Sequence, residues 1–389
     1  MKSRAFGFTR RGRLILPVAF ISLLACSLLS AQVQSFSVLY NFSNSPDGAS
    51  PDKGTLVLDP AGNLYGTTYA GGIFSQGTIF KLDPSGNETV LYHFRGLKDG
   101  AGPIGGLVLD STGNFYGTTS YKGSFNAGTL FKLTAPHTGE LIHTFSGNSD
   151  GAQPYAALLR DRQGNLYGTT KGGGSSGNGI IFRVDPSGHE IVVHSFTGTP
   201  TDGAQPTATL IRDTAGNCYG TASSGGLFQY GTIFKLDNRG VETTLHDFTG
   251  SGDGISPLGA MVRDAAGNLY GTTSAGGALN LGSIFKLDPS GRELWIVNFG
   301  GSNGSYPVGD LILDDADNIY GTTAYGGDFD SGTVFRVTTA GDFRVLHSFN
   351  GSDGNQPYAG LARDKENHLY GTTRFGGARG FGVIFTITP

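Results

Sequence analysis

Cysteine is almost missing from this chain, with two in 389 residues, Cys26 and Cys218. Loss of residues 1–31 would leave Cys218 alone, so no internal disulfide could form. Its place in Asn217-Cys218-Tyr219, where other copies of the same phrase carry larger apolar residues, reads as packing. No H-x-x-H, H-E-x-x-H or paired-cysteine spacing occurs, so local sequence assembles no zinc site, and no metal or other cofactor is expected. Walker-type phosphate loops are also missing. Basic charge is scarce: of 27 Lys and Arg, five precede residue 14, leaving 22 against 31 acidic side chains, or −9. Such a surface repels phosphate backbones, which argues against nucleic-acid binding.

The long apolar run, Leu14 to Ala31, follows Lys2, Arg4, Arg10, Arg11 and Arg13, the layout of a secretory signal peptide. Residues 1–31 are read as that signal, and 32–389 as the exported domain. Cleavage after Ala31 is the first choice. Lipoprotein processing at Leu23-Leu24-Ala25-Cys26 and a retained N-terminal anchor are the alternatives, and otherwise no membrane span is expected.

Glycine is abundant, 65 residues, and it falls into a beat. The phrase N-x-Y-G-T-T, or a close variant, places a tyrosine at 65, 116, 167, 219, 270, 320 and 370, in steps of 50 to 52 residues. G-x-[ILV]-F keeps the same step, ending at Phe80, Phe131, Phe182, Phe234, Phe285, Phe335 and Phe385. A third register ends at Phe42, Phe94, Phe145, Phe196, Phe248, Phe299 and Phe349 and leads into an Asp-Gly turn or its variant. One period near 50 with strand-like content predicts an all-β, seven-bladed propeller. The first copy divides into strands over Leu56–Asp59, Asn63–Thr68, Thr78–Leu82 and Thr89–Phe94, separated by Pro- and Gly-marked turns. The chain opens on an outer-type strand, Val38–Phe42, and stops after a third-type strand, Gly382–Thr386. The N-terminal strand is therefore predicted to complete the last blade, hiding two open edges.

A single catalytic pocket breaks sevenfold symmetry, so off-pattern polar residues are the search set. Five of six glutamates, Glu88, Glu140, Glu190, Glu242 and Glu293, hold equivalent places; Glu366 alone departs. His143, His194, His246 and His347 share the place of Tyr40 and Tyr92, which suggests packing. Asp59 and its equivalents read as turn acceptors. The glycine of Y-G-T-T, such as Gly66, is expected to make room for a phenylalanine of the adjoining blade. The variable loop after it carries Tyr69, Phe74, Tyr121, Phe125, Phe228, Tyr230, Tyr325, Phe329, Phe375 and Phe381, a candidate ligand-binding rim. Lys122, Lys171, Asp328, Asp330, Arg374 and Arg379 are the off-pattern charges beside them.

P-x-G-L-x-x-D…G-N-L-Y resembles NHL-type propeller phrasing, which implies that the Leu56 strand is innermost. The fuller wording G-N-L-Y-G-T-T…G-T-I-F-K-L-D-P-S-G…L-H-x-F…D-G-x-x-P resembles the GloVer tandem repeat of exported bacterial proteins, from about Val38 to Thr386. That resemblance brings no catalytic residue. It implies export, to an extracellular, cell-surface or periplasmic location, often with a C-terminal anchor; here the sequence ends at Pro389 inside the repeat. The expectation is a monomeric, non-catalytic scaffold that binds a glycan or protein partner on its loop rim. The alternative is an enzyme of lyase or hydrolase type with its site at the channel mouth.

Overall fold

Seven four-stranded antiparallel sheets follow one another around a ring in the computed structural model, which describes residues 34–389. The expectations for the signal and its cleavage lie outside the described residues. Blade 1 comprises Val57–Leu58, Leu64–Thr68, Thr78–Leu82 and Glu88–His93, each paired with the next. The inner strand is shorter than the sequence suggested. Seven such strands converge on one axis and adjoining chains touch there: a Cβ on Gly105 would lie 2.4 Å from the Ala156 carbonyl oxygen. Blade 7 comprises Ala362–Arg363, Leu369–Thr373, Val383–Thr388 and, from the other end of the chain, Ser35–Asn41. Val38 pairs with Phe385, and the Phe42 amide donates to the Gly382 carbonyl at 3.0 Å. The predicted closure is what forms.

Each junction between blades holds its own apolar cluster. Phe42 and Ile384 of blade 7 meet Leu56, Leu64, Phe80 and Leu82 of blade 1, and six equivalent clusters complete the circuit. An edge-to-face or tilted phenylalanine pair crosses every junction, from Phe349 with Phe385 at 5.1 Å to Phe299 with Phe335 at 5.6 Å. Fully burying each ring contributes about 1.5–3 kcal/mol, so the core is a ring of seven interfaces.

The sequence expectation for Gly66 is corrected in one respect. The ring that needs its space belongs to the same blade: Gly66 pairs directly with Phe80, and a Cβ there would meet Phe80 Cζ at 2.6 Å. Phe80 lies flat across its own sheet before reaching the neighbour. The Asp-x-x-Gly-Asn-x-Tyr wording also resolves into one network. Asp59 Oδ1 accepts the Ala61 and Asn63 amides, while Oδ2 accepts the Asn63 side chain and the Tyr65 hydroxyl. Those bonds hold the Asp59 carboxyl below its usual range against the opposing effect of burial, its largest perturbation.

In every blade the Gly-Gly loop, Lys122-Gly123 in blade 2, and the Asp-Gly connection, Asn303-Gly304 before blade 6, share a face, tied by bridges such as Ala49 to Ala70 and Ser305 to Tyr325. This loop face is opposite the tight hairpins. A residue in the left-handed region precedes the proline of each connection: Ser50, Gly102, Gln153, Gln205, Ser256, Tyr306 and Gln356. Six are not glycine, a conformation costing roughly 1–2 kcal/mol each. Both backbone groups are bonded in return. The Tyr306 amide donates to Leu281 of the preceding blade, and its carbonyl accepts from Ala324.

At the outer edge of the junctions, His143, His194, His246 and His347 lie within 2.9–3.5 Å of the Asp-Gly carboxylates Asp150, Asp202, Asp253 and Asp353. Tyr40 and Tyr92 bond Asp47 and Asp99 in the same way, which explains the interchange. Burial, then the nearby Asp47, Asp150 or Asp202 charge, pushes Glu88, Glu190 and Glu242 up to about 7. The fold therefore favours their protonated form. Their contribution is present below the ordinary glutamate value near 4.5 and is lost as pH rises through about 7. Replacing all three by Gln should leave stability at pH 5 little changed. At pH 8 it should raise stability, by roughly 1 kcal/mol per site after allowing for partial exposure. Thermal unfolding of both proteins at the two pH values measures this. Comparison with the parent cancels His143 and His347, whose values burial lowers and which act in the opposite sense below about 6.5.

Candidate functional site

On the loop face, departures from the repeat gather around the axis. The residue after the connection proline is Asp52, Ile104, Tyr155, Thr207, Leu258, Val308 or Tyr358, going round the blades. The residue after the Gly-Thr-Thr strand is Tyr69, Ser120, Lys171, Ser223, Ser274, Ala324 or Arg374. The fold turns both sets toward one mouth. Tyr121 and Tyr155 share a hydroxyl–hydroxyl bond of 2.6 Å, with the Tyr69 ring 6.4 Å from Tyr121. Opposite them, Tyr325 and Tyr358 share one of 3.3 Å, and Tyr306 packs edgewise on Tyr358 and tilted on Tyr325. Arg374 joins the two groups: its guanidinium lies over the Tyr358 ring at 5.2 Å, and its Nε is 3.7 Å from Asp52. The Lys171 ammonium is 5.6 Å from the Tyr155 ring centre. Blades 4 and 5 offer no aromatic or charged group at these places, only Thr207, Ser223, Leu258 and Ser274, so the tyrosines form an arc open on one side.

The floor of this cup is built from residues just before the inner strands, mostly Gly and Ala. Two charges break the pattern. Asp310 stands where the other blades have Thr55, Gly106, Ala157, Thr209, Ala260 and Gly360. Its Oδ1 accepts the Ala260 amide at 2.7 Å and its Oδ2 the Thr209 hydroxyl at 3.3 Å, so it links blades 6, 5 and 4. Lys53 arrives through an insertion: Pro51 to Leu56 is five residues, whereas Pro103 to Leu107 and every other copy take four. Burial lowers the Lys53 ammonium; Asp52 and Asp310 counter it, and Lys171 adds to it. Burial raises Asp310 and Asp52, against the Ala260 amide for the first and Arg374 for the second. Burial is also the main reason the Tyr69, Tyr155, Tyr306 and Tyr358 phenols are raised, so they stay neutral hydrogen-bonding groups at physiological pH.

The ten rim residues of the sequence reading divide. Tyr69, Tyr121 and Tyr325 join the cup, and Phe375 lies next to it under Arg374, 5.3 Å away. Phe74, Phe125, Phe228 and Phe329 project from the outer loop tips, 46%, 62%, 47% and 62% exposed. Tyr230 lies over the Gly250 turn, where a Cβ would meet its ring at 2.8 Å, and stays 41% exposed. Phe381 stays partly exposed in the blade 7 loop, where its carbonyl accepts the Ser50 amide. Tyr155, Tyr306, Tyr358, Lys53, Asp52 and Asp310 were missed because they lie in the connections. The five-residue Pro51–Leu56 spacing was the available signal.

His194, Asp202 and Glu242 bring donor atoms within 4.8 Å of one another. Equivalent places hold Tyr40, Asp47 and Glu88 at one junction and Val297, Asn303 and Phe343 at another. The trio is thus one version of a packing unit. Cys218 lies in the cluster between blades 3 and 4, where burial pushes its thiol up to about 11.

A family model described as Gloeobacter/Verrucomicrobia repeat matches residues 27–222, 134–315 and 206–389. No curated protein matches the chain. Among solved structures, virginiamycin B lyase from Staphylococcus aureus is similar in fold, with TM-score 0.61 and 13% identity over 92% of this chain and 99% of that one. The extracellular domain of a B. thetaiotaomicron protein described as a one-component system gives 0.60 and 15%, covering 91% of this chain and 41% of that one. A chain of the mitotic checkpoint complex gives 0.60 and 11%, over 100% and 99%. Functions this different on one ring show that the likeness concerns architecture. Among the described residues no helix is long and apolar enough to cross a membrane.

Proposed function

We propose that this chain, which belongs to the Gloeobacter/Verrucomicrobia repeat family, is an exported binding propeller that holds a glycan in the tyrosine-lined cup of its loop face. The observation that carries this reading is the convergence of off-repeat aromatic and charged residues from five junctions on one mouth. Tyrosine suits sugars because its ring covers the apolar face of a pyranose while its hydroxyl bonds the equatorial oxygens. The hydroxyl pairs Tyr121–Tyr155 and Tyr325–Tyr358 also hold the rings in place before a ligand arrives, limiting the ordering cost on binding. Binding is favoured over catalysis because the cup presents phenols, cations and two restrained carboxyls, while the histidines and glutamates lie at outer junctions and hairpins.

Tyr155→Ala and Tyr358→Ala each remove a ring from one side of the arc. Each should weaken glycan binding about 10-fold or more, as loss of a central aromatic contact does. Phe125→Ala and Phe329→Ala, at the outer tips, should leave it unchanged. Titration calorimetry against an oligosaccharide panel decides, with circular dichroism to verify folding. Binding that survived both tyrosine substitutions and failed on the tip substitutions would move the site to the rim.

A further inference from the structure

Three cations surround the cup, and their arrangement bears on what the ligand carries. The Lys171 charge works against the Lys53 ammonium and Asp52 and Asp310 work for it, yet among the described residues neither ammonium has a carboxylate oxygen within 4 Å. Arg374 Nε is shielded from solvent and has no hydrogen-bond partner; Asp52 sits at 3.7 Å, beyond bonding range. Two further polar atoms are shielded and unpartnered, one on the floor and one at the mouth. Thr55 Oγ1 lies next to the Gly360 floor position, and Thr207, 6% exposed, stands in the ring of Tyr155 and Tyr358. A buried polar group without a partner costs roughly 1–3 kcal/mol, and several around one opening describe a place for an external acceptor.

The acids here are already committed. Asp310 accepts from Ala260 and Thr209, and Asp52 faces Arg374. Without a hydrogen bond remain the Lys53 and Lys171 ammonium groups and Arg374 Nε, which only donate and of which Arg374 alone faces a carboxylate, together with two threonine hydroxyls able to donate, and such a set complements an oxyanion. Its setting is unusual for this chain, whose expected exported part carries a net charge of −9, from 22 basic and 31 acidic side chains. A local positive opening in an acidic surface focuses attraction on one point.

We infer that the cup selects an acidic glycan, a uronic-acid oligosaccharide whose carboxylate is held by Lys53 and Lys171 while its ring lies against the Tyr155 and Tyr358 arc. This deepens the glycan reading and rests on it. No covalent step is involved; three cations, Lys53, Lys171 and Arg374, stand against two carboxyls, Asp52 and Asp310, and the ligand carboxylate balances the charge left over.

The test uses the purified chain without residues 1–31, titrated calorimetrically with oligogalacturonate and oligoalginate, with sulfated galacto-oligosaccharides, and with neutral malto-, cello- and galacto-oligosaccharides. The uronates should bind at least 10-fold more tightly than the neutral sugars, and affinity should fall between 50 and 500 mM NaCl because screening weakens the ion pairs. Lys171→Gln should weaken uronate binding about 10-fold and Lys53→Met about 100-fold, the range for losing a charge-assisted bond at a half-exposed and an enclosed position. Neutral-sugar affinity should fall by a much smaller factor, because a neutral sugar offers the lysines no charge to pair with. Lys53→Met keeps the stem length but takes a counter-charge from Asp52 and Asp310, so thermal unfolding is measured beside binding, and Lys171→Gln carries the test if Lys53→Met is destabilised. Neutral sugars binding as well as uronates, or lysine substitutions without effect on uronates, would overturn the acidic-glycan inference and leave the cup as a neutral-sugar site. Preference for the sulfated sugars over the uronates would overturn the carboxylate assignment. Failure of every oligosaccharide to bind would overturn the glycan reading itself.

Discussion

Removing residues 34–43 should abolish cooperative folding of the ring. The deletion takes away Ser35–Asn41, which pairs along the whole of Val383–Thr388, and Phe42, which is fully buried against Phe80. It also removes Phe36, stacked on His347 at 3.7 Å and packed against Phe385. Loss of one buried phenylalanine to alanine costs about 3–5 kcal/mol, and a whole domain is stable by only about 5–15 kcal/mol. With three rings, Phe36, Tyr40 and Phe42, and a strand gone, blade 7 has three strands, the blade 1 junction loses one wall, and an unpaired edge is open to other chains. Loss of the thermal transition, or aggregation in sedimentation, is the expected outcome. A smaller deletion in the blade 3 Gly-Gly loop, around Ser175 and Ser176, should be far milder. A closure-deleted chain that melted like its parent would refute the role assigned to this strand.

The second large effect concerns one ring that serves two interfaces. Phe285 lies over Gly271 in its own blade, where a Cβ would meet its Cζ at 2.3 Å, and meets Phe248 of blade 4 at 5.3 Å. Phe285→Ala should therefore lower stability by about 3–5 kcal/mol, since it empties both the cross-strand gap and the junction. Gly271→Ala should cost about 1–3 kcal/mol by forcing the ring away. In a Phe285→Leu background the added methyl has space, so the two substitutions together should cost less than their sum. Denaturant unfolding of the four proteins measures that coupling. Strict additivity would mean that the glycine is present for a reason other than the ring.

What the sequence made readable follows from what repeats. Blade number, strand order and closure depend on a pattern written seven times, so a substitution in one copy does not obscure it. The Asp59-type network was legible as a turn and not as a tyrosine partner, because the Tyr65 hydroxyl returns to Asp59 only once the hairpin is folded. Gly66 was assigned to the wrong neighbour for a similar reason. The register that sets Gly66 opposite Phe80 is a property of paired strands, and the sequence spaces the two 14 residues apart. The cup was the least legible part. Its residues come from connections and Gly-Gly loops of five blades, and equivalence in the repeat says where a residue stands without saying that Tyr121 and Tyr155, 34 apart, touch. Lys53 shows the remaining difficulty: a one-residue insertion reads as a loose joint until the axis it points toward is known.

The way the ring is closed also determines how the molecule can be held. Ser35 pairs with Thr388, so the two ends of the propeller leave it side by side, and strand direction puts both on the hairpin face. A tether, tag or solid support joined at either end would present the cup outward, like a bowl on its stem. Immobilised through one terminus, the protein should keep its full capacity for a soluble ligand; coupled through loop-face lysines such as Lys122 and Lys171, it should not.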